Sequence, residues 1–271
     1  MGDLNSICAR VRENVITTIG TLGVGHIGGS LSIVDLLVVL YEKHMHVDPA
    51  NPKMEGRDRL IVSKGHAGPA VYAMLAEKGF FDKSWLLTLN QSNTNLPSHC
   101  DMHRTPGIDM TTGSLGQGFS CAMGVAKASK IRRDGATIYT IIGDGESQEG
   151  QIWEAAMFAA QQKLDNVIAF TDYNNMQIDG NVDDICDIGP LADKWRAFGW
   201  NTIEVEDGHD VDAIDSAIVE AKQSDKPSMI ILKTVKGKGV KFIEEMGYGN
   251  HSIPMTPELV EQALAEVRGT K

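Results

Sequence analysis

The segment Thr137–Ala159, TIYTIIGDGESQEGQIWEAAMFA, decides the fold. It begins with a β-branched apolar run typical of a buried strand, passes through a Gly-Asp-Gly turn and continues with helical character. Further short apolar runs (NVIAFTDY, NTIEVE and SMIILKT) follow and alternate with helices predicted at 152–162 and 211–223. This alternation predicts an α/β fold with a mainly parallel sheet and helices on both faces.

The first 90 residues have helical rather than strand character. Apolar spacing predicts helices at 4–21, 32–43 and 67–78, with glycine-rich loops between them. The C-terminal sequence TPELVEQALAEVRGT predicts a further helix capped by Thr256. Because no repeat, low-complexity tract or proline-rich linker interrupts the chain, we expect residues 1–271 to form one domain.

Composition excludes several classes of protein. Of 271 residues, 42% are hydrophobic and 23% charged, as in an ordinary water-soluble protein. The net charge of −11 and the lack of a basic cluster argue against nucleic-acid binding. The apolar stretch 31–41 is too short to cross a membrane. We expect no secretory signal at the N-terminus, and because the four cysteines are scattered we expect reduced thiols, no structural zinc and a cytoplasmic location.

The loop after the first predicted strand carries the chemistry. Ligands of open α/β sheets bind at the carboxyl ends of strands, where glycines allow a phosphate to approach the backbone. Asp144, Glu146 and Glu149 would however repel a diphosphate. A Mg²⁺ ion removes the conflict, because it binds carboxylate oxygens together with phosphates.

The next predicted strand ends in NNMQIDG and supplies further oxygen ligands. Asn174 lies thirty residues after Asp144, the length of one strand-helix-strand unit, so the two side chains should meet at one sheet edge. The Met176 carbonyl could be a third ligand. An isolated Gly-Asp-Gly sequence could equally be a simple tight turn.

These residues resemble a known family. A GDG turn followed about thirty residues later by NN resembles the diphosphate and Mg²⁺ signature of thiamine diphosphate enzymes, and residues 143–180 specifically resemble transketolase. GHIGGS at 25–30, DRLIVSKGHA at 58–67 and TPGIDMTTGSLGQGFS at 105–120 resemble transketolase segments in the same order. The resemblance implies a thiamine diphosphate-binding fold, specifically the diphosphate-binding domain, with thiamine diphosphate and Mg²⁺ as cofactors.

The resemblance also implies roles for particular residues. Mg²⁺ would be bound by Asp144, Asn174 and the carbonyl of Met176. The positions implied in cofactor binding are His66, Gly113, Ser114, Leu115, Gly143, Asp144, Gly145, Glu149, Asp172, Asn174 and Lys236. Three of these residues also have a purely structural interpretation. Glu149 could be a solvated residue at a helix start, Asp172 a turn residue at a strand end, and Lys236 a solvated loop lysine.

Histidines are the implied catalytic groups. His26, His66, His99 and His251 match histidines that line the substrate channel of the family, although Ser98 and Cys100 replace the usual glycine and proline beside His99. Thiamine diphosphate supplies carbanion chemistry, and imidazoles suit the accompanying proton transfers from and to sugar hydroxyls. The other four histidines are expected at the surface: His44, His46, His103 and His209.

The chain is less than half as long as a conventional transketolase. The resemblance therefore implies the N-terminal subunit of a split transketolase that transfers a two-carbon ketol unit from a ketose to an aldose, which are sugar phosphates or modified sugars. Its expected partner is a separate C-terminal subunit carrying the pyrimidine-binding domain, in a heterotetramer with two copies of each. The alternatives are a deoxyxylulose phosphate synthase-like or 2-oxo acid dehydrogenase-like component, and a non-catalytic regulatory subunit. A Rossmann oxidoreductase fits less well, because GSLGQG is not GxGxxG.

Overall fold

The computed structural model describes residues 3–269. The strands are β1 (Val24–Gly25), β2 (Arg59–Val62), β3 (Ile138–Gly143), β4 (Val167–Tyr173), β5 (Asn201–Val205), β6 (Ser228–Lys233) and β7 (Ile253–Pro254). The helices are α1 (Leu4–Leu22), α2 (Ile27–Leu31), α3 (Val34–Val39), α4 (Gly68–Lys78), α5 (Gln117–Arg132), α6 (Gly150–Gln161), α7 (Val182–Cys186), α8 (Leu191–Ala197), α9 (Val211–Ala221), α10 (Lys241–Glu245) and α11 (Pro257–Val267).

Five strands form one parallel sheet in the order β2-β3-β4-β6-β5. Strand β3 shows why both faces must be covered: Tyr139 and Ile141 pack into one core, whereas Ile138 and Ile142 pack into another. The predicted α/β fold with a parallel sheet is confirmed. The expectation of helices alone in the first 90 residues is wrong, because Arg59–Val62 forms strand β2 beside β3.

Helices cover each face of the sheet. Buried residues of α1, α3, α4 and α9 belong to the core that contains Tyr139, and those of α5, α6 and α8 to the core that contains Ile142. The predicted arrangement of helices on both faces is thus confirmed. Because each βα connection runs back over the sheet, the carboxyl ends of the strands and the helix N-termini face the same edge.

The ends of the helices are set by capping residues and by local changes in helix geometry. Helix α1 begins after Asp3, whose side chain accepts a hydrogen bond from the Asn5 N–H, and ends at Gly23 with a positive φ of 84°. The helix predicted over 32–43 is interrupted, because α3 passes into a π-helical turn at Leu40–His44. Thr256 caps α11 as predicted, accepting from the Leu259 N–H at 3.4 Å.

A short antiparallel pair lies outside the main sheet. Strand β1 pairs with β7 so that Gly25 stands opposite Ile253. This pairing brings the residues after β1 close to those before β7. Between residues 3 and 269 there is no helix whose length and apolar character would let it cross a bilayer.

Candidate active site

The strand ends and helix N-termini enclose a cavity of about 410 Å³. Strands β2, β3, β4 and β6 end at this edge of the sheet. The residues that line the cavity are His26, Gly29, Lys64, His66, His99, Gly113, Leu115, Gly143, Asp144, Gly145, Glu146, Gln148, Glu149, Asp172, Asn174, Met176, Gln177, Ile178, Asp179, Lys236 and His251. Every predicted site residue except Ser114, which is exposed, therefore lies at one place.

Asp144 follows β3 and is only 2% exposed. One of its carboxylate oxygens accepts the N–H groups of Asn174 and Asn175, and the other accepts the N–H of Gly145 at 2.8 Å. Burial, followed by repulsion from Asp172, raises the pKa of Asp144 to about 6 despite these hydrogen bonds. In the part of the chain that the structure describes, no cationic side chain forms an ion pair with Asp144.

The residues around Asp144 fit a divalent cation. The side-chain oxygen of Asn174 accepts the Met176 N–H at 3.2 Å, which orders the turn that also carries the Met176 carbonyl. A carboxylate, an amide oxygen and a backbone carbonyl are hard oxygen donors of the kind that Mg²⁺ prefers. A buried carboxylate without a counter-charge is unfavourable by itself, so a cation at this position would relieve its desolvation.

Asp172, at the end of β4, is held in the cavity wall by three side chains. The Lys64 ammonium forms an ion pair with it, and Ser32 and Thr234 donate hydroxyl hydrogen bonds to it. Burial alone would raise the pKa of Asp172, but Lys64 and the hydroxyl hydrogen bonds outweigh this and lower it. The sequence reasoning missed Lys64, which lies just beyond the short run of β2.

Glu146 joins three loops of the site. It is 2% exposed, and its carboxylate accepts hydrogen bonds from the Ser63 hydroxyl and from the N–H groups of Gly116 and Gly143. Burial raises the pKa of Glu146. Because Gly116 and Gly143 flank the cavity, the carboxylate fixes the spacing between the loop at 113–117 and the end of β3. We infer a structural role for Glu146.

Four imidazoles form one cluster in the cavity. The ring centroid of His26 lies 5.4 Å from that of His66, 5.5 Å from that of His99 and 5.3 Å from that of His251. Burial is the largest cause that lowers the pKa of each of the four, well below its usual range for His66 and to about 4 for His251. The four rings are therefore neutral at pH 7, and each has one nitrogen that can accept a proton.

Lys236 is 4% exposed, unlike the solvated loop lysine that was the alternative. Its ammonium lies 3.3 Å from Nδ1 of His251 and 3.4 Å from the Met176 carbonyl. Burial, followed by repulsion from Lys64, lowers its pKa to about 8. The two lysines thus place positive charge beside the glycine-rich strand end.

Two of the histidines expected at the surface are largely buried. His44 and His209 have side chains that are each only 6% exposed, and each ring contacts a carboxylate, Asp215 and Asp35 respectively. That expectation was wrong for both. His46 and His103 are exposed as expected.

Comparison with known proteins defines the class of protein to which this chain belongs. Residues 5–267 match the family described as "Transketolase, thiamine diphosphate binding domain". The chain belongs to this transketolase family, and thiamine diphosphate-dependent ketol transfer is the family's function. The sequence-based family and enzyme class are confirmed.

Several relatives of similar length are named as subunits. The chain is 56% identical to a protein of Clostridium sp. (strain MSTE9) named 6-deoxy-6-sulfo-D-fructose transketolase subunit SqwG, over 98% of this chain and 96% of that one. It is 39% identical to an apulose-4-phosphate transketolase subunit of Actinobacillus succinogenes, over 95% and 92% of the two chains. This chain is likewise a transketolase subunit.

Solved structures agree with the fold. The transketolase of Campylobacter jejuni superposes with a TM-score of 0.91 at 32% identity. The match covers 100% of this chain and 44% of the solved transketolase chain. The chain therefore spans less than half the length of the solved transketolase.

Proposed function

We propose that this chain, as one diphosphate-binding domain over residues 1–271, supplies the thiamine diphosphate and Mg²⁺ half of a two-component transketolase site. The observation that carries the proposal is the cavity itself, which combines a buried carboxylate that has no cationic partner among residues 3–269 with four neutral imidazoles. A regulatory subunit without catalysis would need neither group. Both groups together suit a cofactor site in which protons are transferred.

Cofactor binding would use the strand-end residues. Asp144, Asn174 and the Met176 carbonyl would hold Mg²⁺, and Gly143 and Gly145 would let a diphosphate approach the backbone. Lys64 and Lys236 would offset the remaining negative charge. Thiamine diphosphate, when bound, supplies the electron sink that stabilises the carbanion of ketol transfer.

The histidines would move protons. Cleavage of a ketose requires removal of a hydroxyl proton, and addition to an aldose requires proton delivery to the new alkoxide. Since the four rings are neutral at pH 7, they can accept the first proton and return it in the second half-reaction. His26 is central in this cluster, because its ring lies within 5.5 Å of the other three.

A partner would complete the site. We propose a separate C-terminal subunit carrying the pyrimidine-binding domain, in a heterotetramer with two copies of each chain. The matched transketolase, which is more than twice as long, and relatives that are named as subunits support this arrangement. We place the assembly in the cytoplasm because the four cysteines are free thiols, which a reducing compartment maintains.

The ketose that we favour is 6-deoxy-6-sulfofructose. The supporting observation is the greater identity to the sulfofructose transketolase relative, 56%, than to the apulose-4-phosphate relative, 39%. Transfer of C1 and C2 leaves a four-carbon aldose that still carries the terminal group, so the reaction does not alter the sulfonate. Discrimination between sulfonate and phosphate must therefore rest on binding. Sugar phosphates of the apulose or pentose phosphate type are the second candidate.

The test combines this chain with its candidate partner. Titration calorimetry would measure Mg²⁺-thiamine diphosphate binding to the mixture and to each chain alone. Ketol transfer to ribose 5-phosphate would then be compared for 6-deoxy-6-sulfofructose, fructose 6-phosphate and xylulose 5-phosphate. Preference for the sulfosugar supports the proposal, whereas turnover of the phosphates alone favours the second candidate. Binding without turnover of any of the three sugars would retain the cofactor assignment and direct the search to other ketoses, and absence of binding would exclude the cofactor assignment.

A further inference from the structure

A cluster of charged residues lies beside the cofactor cavity without lining it. Arg12 of α1, Asp35 of α3 and His209, which precedes α9, are largely buried, with side chains that are 10%, 5% and 6% exposed. Arg12 Nη2 donates to Asp35 Oδ2, and His209 Nδ1 lies 2.8 Å from the same oxygen. The proposed reaction assigns no role to these three residues.

The hydrogen bonds of His209 fix its protonation. The backbone N–H of Val235 donates to His209 Nε2 at 2.8 Å. Because a backbone N–H can only donate, Nε2 carries no proton, and Nδ1 must hold the hydrogen that it donates to Asp35. Burial would raise the pKa of Asp35, but the hydrogen bond from His209 and the Arg12 charge lower it to about 2. The carboxylate is therefore ionised and orients both partners.

The same cluster holds a second point of the loop that follows β6. Arg12 Nε donates to the Lys238 carbonyl at 3.1 Å. The backbone is thus fixed at Val235 and at Lys238, on either side of Lys236. Gly239 fits against Arg12 so closely that an added Cβ would lie 2.9 Å from its Cδ. The cluster and the loop are in direct contact over this segment.

Lys236 needs this support because its surroundings are unfavourable for an ammonium group. It is 4% exposed, its hydrogen-bond contacts are to a neutral imidazole and a carbonyl, and burial with repulsion from Lys64 outweighs the attraction of Asp144 and Asp172. A free loop would let the long side chain turn outward to water. A backbone fixed on both sides of the residue keeps the ammonium in the cavity.

We propose that Arg12, Asp35 and His209 are positioning residues that hold the 234–239 loop so that Lys236 meets the cofactor diphosphate. This inference rests on the proposed function, because it assumes that the cavity binds thiamine diphosphate. The competing explanation is that the cluster only stabilises the packing of α1, α3 and the loop before α9. The two explanations differ in whether the cluster acts through Lys236.

The first test does not depend on the cofactor. Hydrogen exchange of the peptide that covers residues 234–239 would be measured in the full chain for the wild type and for His209→Ala. His44→Ala is the matched control, because His44 is equally buried and also bound to a carboxylate, Asp215. We expect faster exchange in this peptide for His209→Ala only. Unchanged exchange in His209→Ala, or equal acceleration in His44→Ala, would overturn the positioning role.

Arg12→Lys provides a second variant in case His209→Ala does not fold. It keeps a cation near Asp35 and removes the Nε donor to the Lys238 carbonyl. The same peptide should exchange faster in Arg12→Lys than in the wild type, and unchanged exchange contradicts the proposal.

The second test is a double-mutant cycle on cofactor affinity in the chain mixed with its partner. His209→Ala should weaken thiamine diphosphate binding in the presence of Mg²⁺ about tenfold, the size of one lost hydrogen-bonding contact. In a Lys236→Met background the same change should have almost no effect, because the group it positions is gone. His209→Gln, which keeps a donor and an acceptor, should restore part of the affinity.

Additive losses in the cycle would show that the cluster does not act through Lys236, which overturns the inference. If the wild type binds no thiamine diphosphate, the proposed function fails and the link to the diphosphate fails with it. The exchange experiment would still decide whether the cluster fixes the loop, so the two failures are distinguishable.

Discussion

Lys64 and Asp172 form a buried ion pair across strand β3: Lys64 lies just beyond β2, Asp172 lies in β4, and their Nζ and Oδ2 atoms are 2.5 Å apart. The bond spans the end of β3, which lies between β2 and β4 in the sheet. It joins three strand ends into one cavity wall. Neither residue is more than 3% exposed, so the pair is shielded from water and salt.

Removal of one partner of this pair should be costly. Lys64→Met leaves the Asp172 carboxylate buried and uncompensated, and we expect a loss of about 3–5 kcal/mol in the free energy of unfolding. Lys130→Met is the matched control, since Lys130 forms an exposed pair with Asp165 that is worth about 1 kcal/mol at most. Urea denaturation measures both changes. Losses of similar size in the two variants would contradict the buried pair's importance.

Asp144 should be needed for the metal-dependent binding of the cofactor. Asp144→Asn keeps the side chain's shape but removes the charge, so thiamine diphosphate binding in Mg²⁺ should weaken by about a hundredfold or more. Asp165→Asn makes the same charge change near the opposite end of β4 and should bind normally. Calorimetric titration gives both affinities, and circular dichroism checks that each variant is folded. An unchanged affinity in Asp144→Asn would reject it as a ligand.

Two glycines of α5 should respond oppositely to alanine. A Cβ at Gly118 would lie 2.8 Å from the Ser63 Cα, which cannot move without disturbing the hydrogen bond from Ser63 to Glu146. We expect Gly118→Ala to destabilise the protein by about 1–3 kcal/mol. Gly124 has open space around it, so Gly124→Ala should stabilise the helix by about 0.5–1 kcal/mol. Thermal melts of the two variants test the sign of each effect.

The neutral histidines predict how stability depends on pH. The pKa of His251 is lowered to about 4, first by burial and then by Lys236, whereas the unfolded chain has an ordinary histidine pKa of about 6.5. At pH values between these two pKa values, His251 is protonated in the unfolded state but neutral in the folded state. The contribution of His251 to stability is therefore lost as pH falls from about 6.5 toward 4.

His251→Gln removes this contribution. Between about pH 7.5 and pH 5 its melting temperature should fall less than that of the wild type. Other groups in the cavity, including Asp144 with its opposite shift, are common to both proteins and largely cancel in the comparison. Parallel pH profiles for the two proteins would contradict the lowered pKa of His251.

The sequence predicted the central strands and the site better than the periphery. Strands β3 to β6 are short β-branched runs with clear turns at their ends, and their order along the chain follows from the alternation with helices. The four residues of β2 show no period and follow a polar stretch, so only pairing with β3 identifies them. The spatial order of β5 and β6 likewise depends on packing that no local pattern records.

Side-chain burial in loops was the least predictable property. Lys236 and His209 are polar residues in glycine-containing loops, for which exposure is the ordinary expectation. Their burial depends on partners distant in sequence, such as Asp35 for His209 and the Met176 carbonyl for Lys236. Lys64 was not predicted as a site residue for the same reason, because its ion pair with Asp172 forms only in the folded structure.

The β1–β7 pairing also bears on how the protein is made. His26 follows β1 and His251 precedes β7, so two sides of the imidazole cluster come from segments that are far apart in the sequence. During translation, the ribosome must release His251 before the cluster can close. A nascent chain that ends short of this residue already contains all five strands of the parallel sheet but cannot form the complete cavity. The assembled cluster therefore marks a polypeptide that has been synthesised at least as far as β7.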